Sequence, residues 1–189
     1  MTSYREFSVF DLLKFANVNF DPFTETYSSS YYMQYMTTWP EYMKIAESPV
    51  LTVFDSKEGS VLGGRIMGYM IAKSEGVGKA WHGHVTALSV APEYRRMGLA
   101  SRLMLDFEDT SERKKCVFAD LFVRASNKLG NSLYTKLGYV IYRRVLSYYS
   151  GGEDGEDAFD MRKALTADKK RESVIPLTKP ITVDELEFT

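Results

Sequence analysis

Apolar positions recur at helical intervals near the start of the chain. Residues 8–20 show this spacing, and Ser8 stands three residues before Asp11, which is the spacing of a helix-capping box. Residues 31–47 resume the pattern around Pro40, which predicts a helix that is interrupted at the proline. The chain therefore begins with two predicted helices joined by a loop.

Two later segments have the same period. Residues 98–115 place their apolar side chains on one helical face. Residues 127–139 form a shorter pattern that ends at Gly138, a residue type that commonly terminates helices. We predict a helix in each segment.

The remaining apolar segments are rich in β-branched and aromatic residues, which predicts strands. Two of them flank a turn with glycine and serine and are predicted to form a hairpin. The strand at 116–126 is apolar almost throughout, which is typical of a strand covered on both faces. The predicted strands are 49–56, 66–76, 84–92, 116–126, 140–150 and 158–165. Alternation of these strands with the helices predicts an α/β fold with a mixed central sheet flanked by helices.

The domain organisation follows from length and from the loss of period near the end. A chain of 189 residues is long enough to form one domain with a full hydrophobic core. After Leu165 the sequence is charged, contains Pro176 and Pro180, and shows no periodicity. We predict one domain over residues 1–165 and a polar C-terminal tail over 166–189.

Charge and cysteine content limit the classes of function. The 24 basic and 25 acidic side chains nearly balance, so we expect no direct nucleic-acid partner and no membrane surface. Cys116 is the single cysteine, which favours a reducing compartment and a buried, unreactive thiol. No apolar run reaches eighteen residues, and the first residues do not resemble a signal peptide. We expect a cytoplasmic protein.

The segment "YRRMGLAS", residues 94–101, stands where a predicted strand turns into a predicted helix. The first N–H groups of a helix have no partner inside it, and the helix dipole adds positive charge, so such a corner attracts anions. Gly98 keeps a side chain out of the approach path, while Arg95 and Arg96 add charge and forked donors. Spacing alone leaves open that Gly98 only eases a turn and that the arginines are solvated.

Other phosphate-binding loops do not fit. The segment "GSVLGGR" has the glycine spacing of a P-loop but lacks its lysine and hydroxyl pair, and no Gly-x-Gly-x-x-Gly opens a helix. An ATPase and a dinucleotide-dependent enzyme are therefore disfavoured.

The pattern Arg95-x-x-Gly98-x-Ala100 resembles the acetyl-CoA pyrophosphate loop of the GNAT superfamily of N-acetyltransferases. The segment "NSLYTKLGY", residues 131–139, resembles the later part of that superfamily in which an asparagine and a tyrosine face the thioester. Over residues 1–165, the chain further resembles catalytic subunits of NatB-type amino-terminal acetyltransferases. This narrower resemblance depends on the segments "NFDPFTETY", "WHGHVTALSVAPEYRRMGLA", "DLFVRASN", "LSYYS" and "DAFDMRKAL". The wide turn "DSKEGSVLGGR" departs from it.

The resemblance implies a GNAT fold and a direct transfer of acetyl from acetyl-CoA, without a metal, through a tetrahedral intermediate. The implied acceptor is the α-amino group of polypeptides beginning Met-Asp, Met-Glu, Met-Asn or Met-Gln. Tyr134 is the implied general acid, and His84 is implied to assist catalysis. The implied acetyl-CoA contacts are Leu88, Val90, Arg95, Arg96, Met97, Gly98, Leu99, Ala100, Ser101, Asn127 and Tyr134. The implied peptide contacts are Glu25, Tyr27, His84, Thr86, Ala87, Tyr148 and Tyr149.

The residues by themselves leave simpler roles open. Tyr134 could be a core tyrosine of its helix, and Asn127 could cap that helix. His84 could be a hydrogen-bonded strand residue. His82 and His84 share a strand face and could suggest a metal pair, but no third ligand stands at a suitable spacing, so no metal site is predicted.

The segment "YYMQYMTTWPEYM" contains more aromatic and methionine residues than a small helix usually buries, although core packing is the simpler explanation. The resemblance implies a large helical-repeat auxiliary subunit that docks the enzyme near the ribosome, where the nascent polypeptide N-terminus is the substrate. We expect the early helical region and the tail to contact that subunit. Two other functions stay open: a lysine or small-amine acetyltransferase, and a non-catalytic acyl-CoA-binding or peptide-binding module.

Overall fold

The protein is represented by a computed structural model that describes residues 2–20, 24–49, 51–53, 60–62, 64–149 and 155–186. The strands in these ranges are β1 Ser3–Glu6, β2 Lys44–Glu47, β3 Leu51–Val53, β4 Ser60–Leu62, β5 Ile66–Glu75, β6 His82–Val90, β7 Phe118–Arg124, β8 Val140–Tyr149, β9 Glu156–Ala164 and β10 Ile181–Thr182. The α-helices are α1 Ser29–Thr38, α2 Leu99–Arg113 and α3 Lys128–Lys136. Short 3-10 helices cover Val9–Leu13, Pro40–Tyr42, Gly78–Ala80, Pro92–Tyr94, Glu172–Val174 and Val183–Glu185.

The first predicted helix is wrong in type and length, although its capping box is confirmed. Ser8 donates its N–H to Asp11 Oδ2 at 2.7 Å, but the helix is a 3-10 turn that ends at Leu13. Tight turns follow. In one of them the Val18 N–H donates to the Phe15 carbonyl at 2.9 Å. Phe15 and Val18 both reach the core from these turns.

The second predicted helix is confirmed only before the proline. The α-helix α1 begins after Ser28, whose side chain accepts from Tyr31 N–H, and it ends before Pro40. Residues 44–47 form the strand β2 instead of further helix. Ile45 and Ala46 are fully buried there, so strand pairing and burial override the local helical pattern.

The predicted hairpin between 49–56 and 66–76 is wrong. Strand β3 pairs with β4 in a separate two-stranded sheet, and β5 pairs with β2. Residues 50, 54–59 and 63, which belong to the predicted hairpin and its turn, lie outside the described residues. The other predicted strands and both later helices are confirmed, and Gly138 follows α3 with a φ of +91°.

The chain divides into two compact units. The first comprises Met1–Ile71 and Ala87–Met104. In it, β1 pairs antiparallel with β2, and β2 pairs antiparallel with β5. Its core is strongly aromatic, with the rings of Phe7, Phe15, Tyr32 and Tyr69 in mutual contact. The aromatic residues of the early sequence therefore pack mainly inside this unit.

The second unit comprises Ala72–Thr86 and Leu105–Thr189. Here β6 and β7 are parallel, β7 pairs antiparallel with β9, β9 pairs antiparallel with β8, and β10 runs parallel to β8. Parallel and antiparallel pairs thus coexist, which confirms the predicted mixed α/β sheet.

Residues after Leu165 form regular structure that the sequence did not predict. Strand β10 pairs with β8, and Leu186 packs against Val145 and Ala158. Asp168 accepts from the backbone N–H groups of Glu172 and Ser173. Among the described residues, no helix is both long and apolar enough to cross a bilayer.

Candidate active site

The segment after β6 has the backbone geometry of an anion-binding corner. A 3-10 turn, Pro92–Tyr94, follows the strand, and Arg96 and Gly98 then adopt φ values of +64° and +81°. Arg102 donates its N–H to the Gly98 carbonyl at 3.0 Å, so the N–H groups before Arg102 at the start of α2 have no acceptor within the helix. None of the residues in the first turn of α2 is acidic. The first turn of α2 therefore presents main-chain donors and contributes no carboxylate of its own.

Gly98 also leaves room for a ligand. A Cβ built at this residue would meet no atom within 4 Å, so the space in front of the main chain is open. A phosphate group can approach the amides through this space, as the sequence analysis expected.

The predicted acetyl-CoA contacts in this loop differ in the exposure of their side chains. Arg95 donates from Nε to the Val90 carbonyl at 3.2 Å, and Arg96 and Met97 are exposed. The Leu99 side chain is only 3% exposed and packs in one cluster with Ala46 and Met67. Leu99 can thus contribute its backbone N–H but not its side chain.

Strand β6 carries several predicted contacts on one face. His84, Thr86, Leu88 and Val90 stand at alternate positions and are half-buried, whereas the residues at 83, 85 and 89 between them are buried. Ala87 packs against the aromatic core of the first unit. The predicted positions on this strand therefore share a partly open face, apart from Ala87.

The amino end of α3 holds Asn127, and the middle of the helix holds Tyr134. Asn127 accepts from the Gly130 N–H at 2.9 Å, so the simpler prediction of a helix cap is confirmed. Burial raises the pKa of Tyr134 to about 12. Its hydroxyl consequently keeps its proton at neutral pH and can donate it.

Asn131 is a candidate ligand-binding residue that was absent from the predicted contacts. Its Nδ2 donates to the carbonyls of Arg124 and Ala125 at 3.4 and 3.2 Å, which fixes the orientation of the amide. Its Oδ1 is buried and has no donor among the described residues. A buried acceptor without a donor is costly, so this oxygen suits an amide N–H of a bound ligand. The signal in the sequence was its place in the segment "NSLYTKLGY".

His84 is oriented by a buried carboxylate. Its Nδ1 lies 2.8 Å from Asp120 Oδ1, on the adjacent strand β7. Burial opposes ionisation of Asp120, but the charge and hydrogen bond of His84, together with His82 and Arg162, hold the pKa of this carboxyl below its usual range. An ionised Asp120 accepts from Nδ1 and so leaves the lone pair of His84 on Nε2.

An aromatic cluster extends from His84 to the end of β8. The Phe122 ring lies 5.7 Å from that of His84 and stacks on Tyr148 with centroids 4.7 Å apart. The Tyr149 hydroxyl donates to the Phe122 carbonyl at 3.2 Å. Adjacent strand residues normally face opposite sides, but β8 has a register shift between Val145 and Tyr149. This irregularity lets both tyrosines contact Phe122.

Asp120 and Phe122 were thus missed by the sequence analysis. Both stand at alternate positions of β7 and share the face that meets His84. The available signal was Asp120 itself, a carboxylate within the otherwise apolar residues 118–123.

The remaining predicted peptide contacts lie in the first unit. Tyr27 stacks on Tyr31 with ring centroids 4.5 Å apart and meets Tyr32 edge to face at 5.9 Å. Glu25 is exposed. Their contact with a peptide stays a prediction.

Comparisons with known proteins agree with this geometry. The model of the acetyltransferase (GNAT) family matches residues 17–139 of this chain. The chain belongs to the GNAT family of acetyltransferases. It is 53% identical over 189 residues to an N-terminal acetyltransferase B complex catalytic subunit, NAA20, of Arabidopsis thaliana, covering 100% of this chain and 99% of the relative.

Solved structures of this family are similar as well. Naa20 of Chaetomium thermophilum in complex with a bisubstrate analogue superposes with a TM-score of 0.82 at 35% identity, covering 95% of this chain and 96% of that chain. A NatB acetyltransferase complex bound to a bisubstrate inhibitor gives a TM-score of 0.78 at 37% identity, with 98% and 99% covered. The predicted GNAT fold, acetyltransferase class, acetyl-CoA donor and resemblance to NatB catalytic subunits are thereby confirmed.

Proposed function

We propose that this acetyltransferase acetylates the α-amino group of polypeptides that begin Met-Asp, Met-Glu, Met-Asn or Met-Gln. The observation that carries the proposal is the cluster of His84, Asp120, Phe122 and Tyr148, which offers an aromatic wall beside an oriented imidazole. Similarity to NatB catalytic subunits over the whole chain supports the same acceptor.

Acetyl-CoA is bound in this proposal by the corner at the start of α2. The free amides of the first turn and the side chains of Arg95 and Arg96 hold the diphosphate. Leu88, Val90 and the backbone from Met97 to Ser101 line the adjoining path. Asn127 and the buried Oδ1 of Asn131 receive the amides of the pantetheine arm.

In this proposal, the acceptor site recognises the second side chain of the peptide through hydrogen-bond donors that carry no formal charge. Aspartate, glutamate, asparagine and glutamine side chains all end in an oxygen that accepts hydrogen bonds, whereas only two of them are charged. Tyrosine hydroxyls such as that of Tyr148 can donate to all four, while an arginine would favour the acids. The Tyr149 hydroxyl already donates a hydrogen bond to the Phe122 carbonyl. Apolar and aromatic side chains suit the methionine.

The chemistry is a direct transfer. The neutral amine attacks the thioester carbonyl, and the tetrahedral intermediate collapses with loss of the thiolate. Tyr134 donates a proton to the sulfur and regains one that the amine releases, so the products are an amide and a free thiol. An α-amino group with a pKa of about 7.7–8.0 is partly neutral at physiological pH, and it needs little help from a base, for which His84 is the candidate.

The test is a mass-shift assay with acetyl-CoA and a peptide panel. We expect product on the four Met-x peptides and none on matched peptides with a blocked amino end and an internal lysine. Tyr134→Phe should lower the rate by about 10²-fold to 10⁴-fold, the usual contribution of a general acid. Product on the internal lysine would support the lysine acetyltransferase instead, and acetyl-CoA binding without any product would support a non-catalytic module.

We also propose that an auxiliary subunit covers the early helical region, as the solved NatB complex suggests. The 3-10 helix Val9–Leu13 and the turn after it expose Phe10, Leu13 and Phe20 at 68, 84 and 81%. Large exposed apolar side chains of this kind mark interaction sites. The large helical-repeat nature of this subunit, its ribosome contact, the part played by the tail and the cytoplasmic location belong to the same proposal.

Copurification tests this surface. Leu13→Glu should abolish recovery with the auxiliary subunit, because it places a charge in an apolar interface. Val77→Glu is the matched control, since Val77 is equally exposed at 86% but lies in the turn after β5. Equal recovery of both variants, or unchanged solubility and activity without any partner, would contradict the proposal.

A further inference from the structure

Both histidines of the chain lie in one polar cluster of the second unit. His82 and His84 stand two residues apart on β6, so their side chains point to the same face. Glu75, the last residue of β5, joins them. The acetyl transfer proposed above uses only His84 from this cluster.

The donor atoms are close enough to share an ion. One ligand atom from each of Glu75, His82 and His84 lies within 4.8 Å of the other two. Glu75 Oε1 is 3.7 Å from His82 Nε2. Tetrahedral ligands on Zn²⁺ lie about 3.4 Å apart, given bonds of about 2.0–2.2 Å, so small side-chain rotations would close the site.

The surrounding groups orient the imidazoles as metal ligands require. His82 Nδ1 lies 2.7 Å from the Ala80 carbonyl, which can only accept, so Nδ1 carries the proton and Nε2 carries the lone pair. His84 Nδ1 is bonded to Asp120, the carboxylate–histidine pairing that supports metal-bound imidazoles. Both rings are thus held with Nε2 as the available donor.

The charges of the cluster also favour a divalent cation. Asp120 Oδ2 lies 3.6 Å from His82 Nε2, so a second carboxylate adds negative charge close to the ligands. Lys73 opposes it, because its Nζ donates to Glu75 Oε2. Two imidazoles with one carboxylate are a ligand set that suits Zn²⁺ better than Mg²⁺ or Ca²⁺, which prefer oxygen ligands.

From this geometry we infer that Glu75, His82 and His84 form a binding site for a divalent transition-metal ion such as Zn²⁺. Glu75 ligates through a carboxylate oxygen and each histidine through one ring nitrogen, which on His82 is the Nε2 that faces Glu75 Oε1. The spacing of the sequence did not indicate Glu75 as a third candidate ligand. The third ligand comes from the neighbouring strand β5, across the turn at Gly78–Ala80.

Occupancy of this site has a consequence that rests on the proposed function. A metal bound to His84 removes its lone pair from the peptide site. Zn²⁺ should therefore inhibit acetylation of Met-Asp peptides competitively with the peptide, and a chelator should reverse the inhibition. Glu75→Gln should keep the activity measured without zinc and lose most of the inhibition.

The deciding experiment uses the full-length chain without an affinity tag and ZnCl₂ as the probe. Because the chain has 2 histidines, its imidazole ¹⁵N and ¹H NMR signals report on this cluster alone. We expect both histidines to shift together and to saturate at one equivalent of Zn²⁺. Competition with a chromophoric chelator then gives the dissociation constant.

Variants separate the ligands from their neighbours. Glu75→Gln and His82→Gln should each weaken Zn²⁺ binding by about tenfold or more, and Lys73→Gln should strengthen it because it frees Glu75. Cys116→Ser is the matched control and should leave the affinity unchanged, since Cys116 is a buried thiol outside the cluster. Circular dichroism establishes that each variant is folded.

Shifts of only one histidine, no saturation at one equivalent, or an affinity unaffected by Glu75→Gln would overturn the metal site. Binding without inhibition would leave the site intact and instead contradict the peptide-binding role of His84. The two failures are therefore distinguishable.

Discussion

His84 Nδ1 lies 2.8 Å from Asp120 Oδ1, and the carboxylate side chain is 6% exposed. In the proposed acceptor site these two residues are the central pair. His84 lies on a half-buried face of its strand, and Asp120 places a buried negative charge beside it. In the proposed function, Asp120 acts on the peptide through His84, as a positioning residue.

We expect Asp120→Asn to lower kcat/KM for Met-Asp peptides by about tenfold to a hundredfold, because a hydrogen bond to a charged partner contributes about 1.5–3 kcal/mol. Asp11→Asn is the control, since Asp11 is also buried but pairs with Arg5 in the first unit. Steady-state kinetics with circular dichroism checks the prediction. Equal losses of activity in both variants would indicate a general loss of packing instead.

Gly98→Ala should raise KM for acetyl-CoA and leave KM for the peptide unchanged. A methyl group there enters the open space at the loop, and the φ of +81° adds strain of about 1 kcal/mol. Gly78→Ala provides a control, because Gly78 also has a positive φ and open space but lies after β5. A similar change of KM in the control would contradict binding of acetyl-CoA at the loop that contains Gly98.

The pH profile should rise and then stay level. The rate should increase through about pH 7.7–8.0 as the α-amino group loses its proton. Tyr134, with a pKa of about 12, retains its proton well beyond this range, so no decline is expected up to pH 9. A falling limb between pH 7 and 9 in kcat would identify a different general acid.

Asp11 should contribute stability that depends on pH. Its two oxygens accept from Arg5 Nη1 and Nη2 at 2.7 and 2.8 Å. Burial opposes ionisation, but the bonds from Arg5 and from the Ser8 N–H lower the pKa of Asp11 below its ordinary value. A lowered pKa stabilises the fold above the pKa of the unfolded state, about 3.9, and this contribution is lost as the pH falls through the lower, folded value.

Asp11→Asn should therefore destabilise the protein by about 1–3 kcal/mol at pH 7, and much less near pH 3. Urea unfolding at both pH values measures the difference. An equal effect at both would show that packing, rather than ionisation, explains the loss.

Leu186→Ala should lower the free energy of unfolding by about 2–3 kcal/mol, because this side chain is 7% exposed against Val145 and Ala158. Leu177→Ala, at a residue that is 47% exposed, should change it by less than about 0.5 kcal/mol. Thermal or urea denaturation compares the two. A loss below about 0.5 kcal/mol for both variants would mean that packing of Leu186 does not stabilise the second unit.

The sequence alone predicted the mixed sheet, both later helices and the anion-binding corner, because each depends on local signals. The period of α2, the glycine after α3 and the cap at Asn127 are examples, since neighbouring residues decide them. Its resemblance to a known family also identified the class of enzyme.

Tertiary structure decided the features that depend on distant residues. Local pattern favoured a helix at Ile45, but pairing with two strands and full burial made it a strand. Asp120 and Phe122 met His84 only through parallel pairing of β6 with β7, and Glu75 met the histidines only through packing. Local propensities differ by about 1 kcal/mol per residue or less, whereas burial of one large side chain contributes about 1.5–3 kcal/mol. Where the two conflict, the distant contacts prevail, and no local pattern contains them.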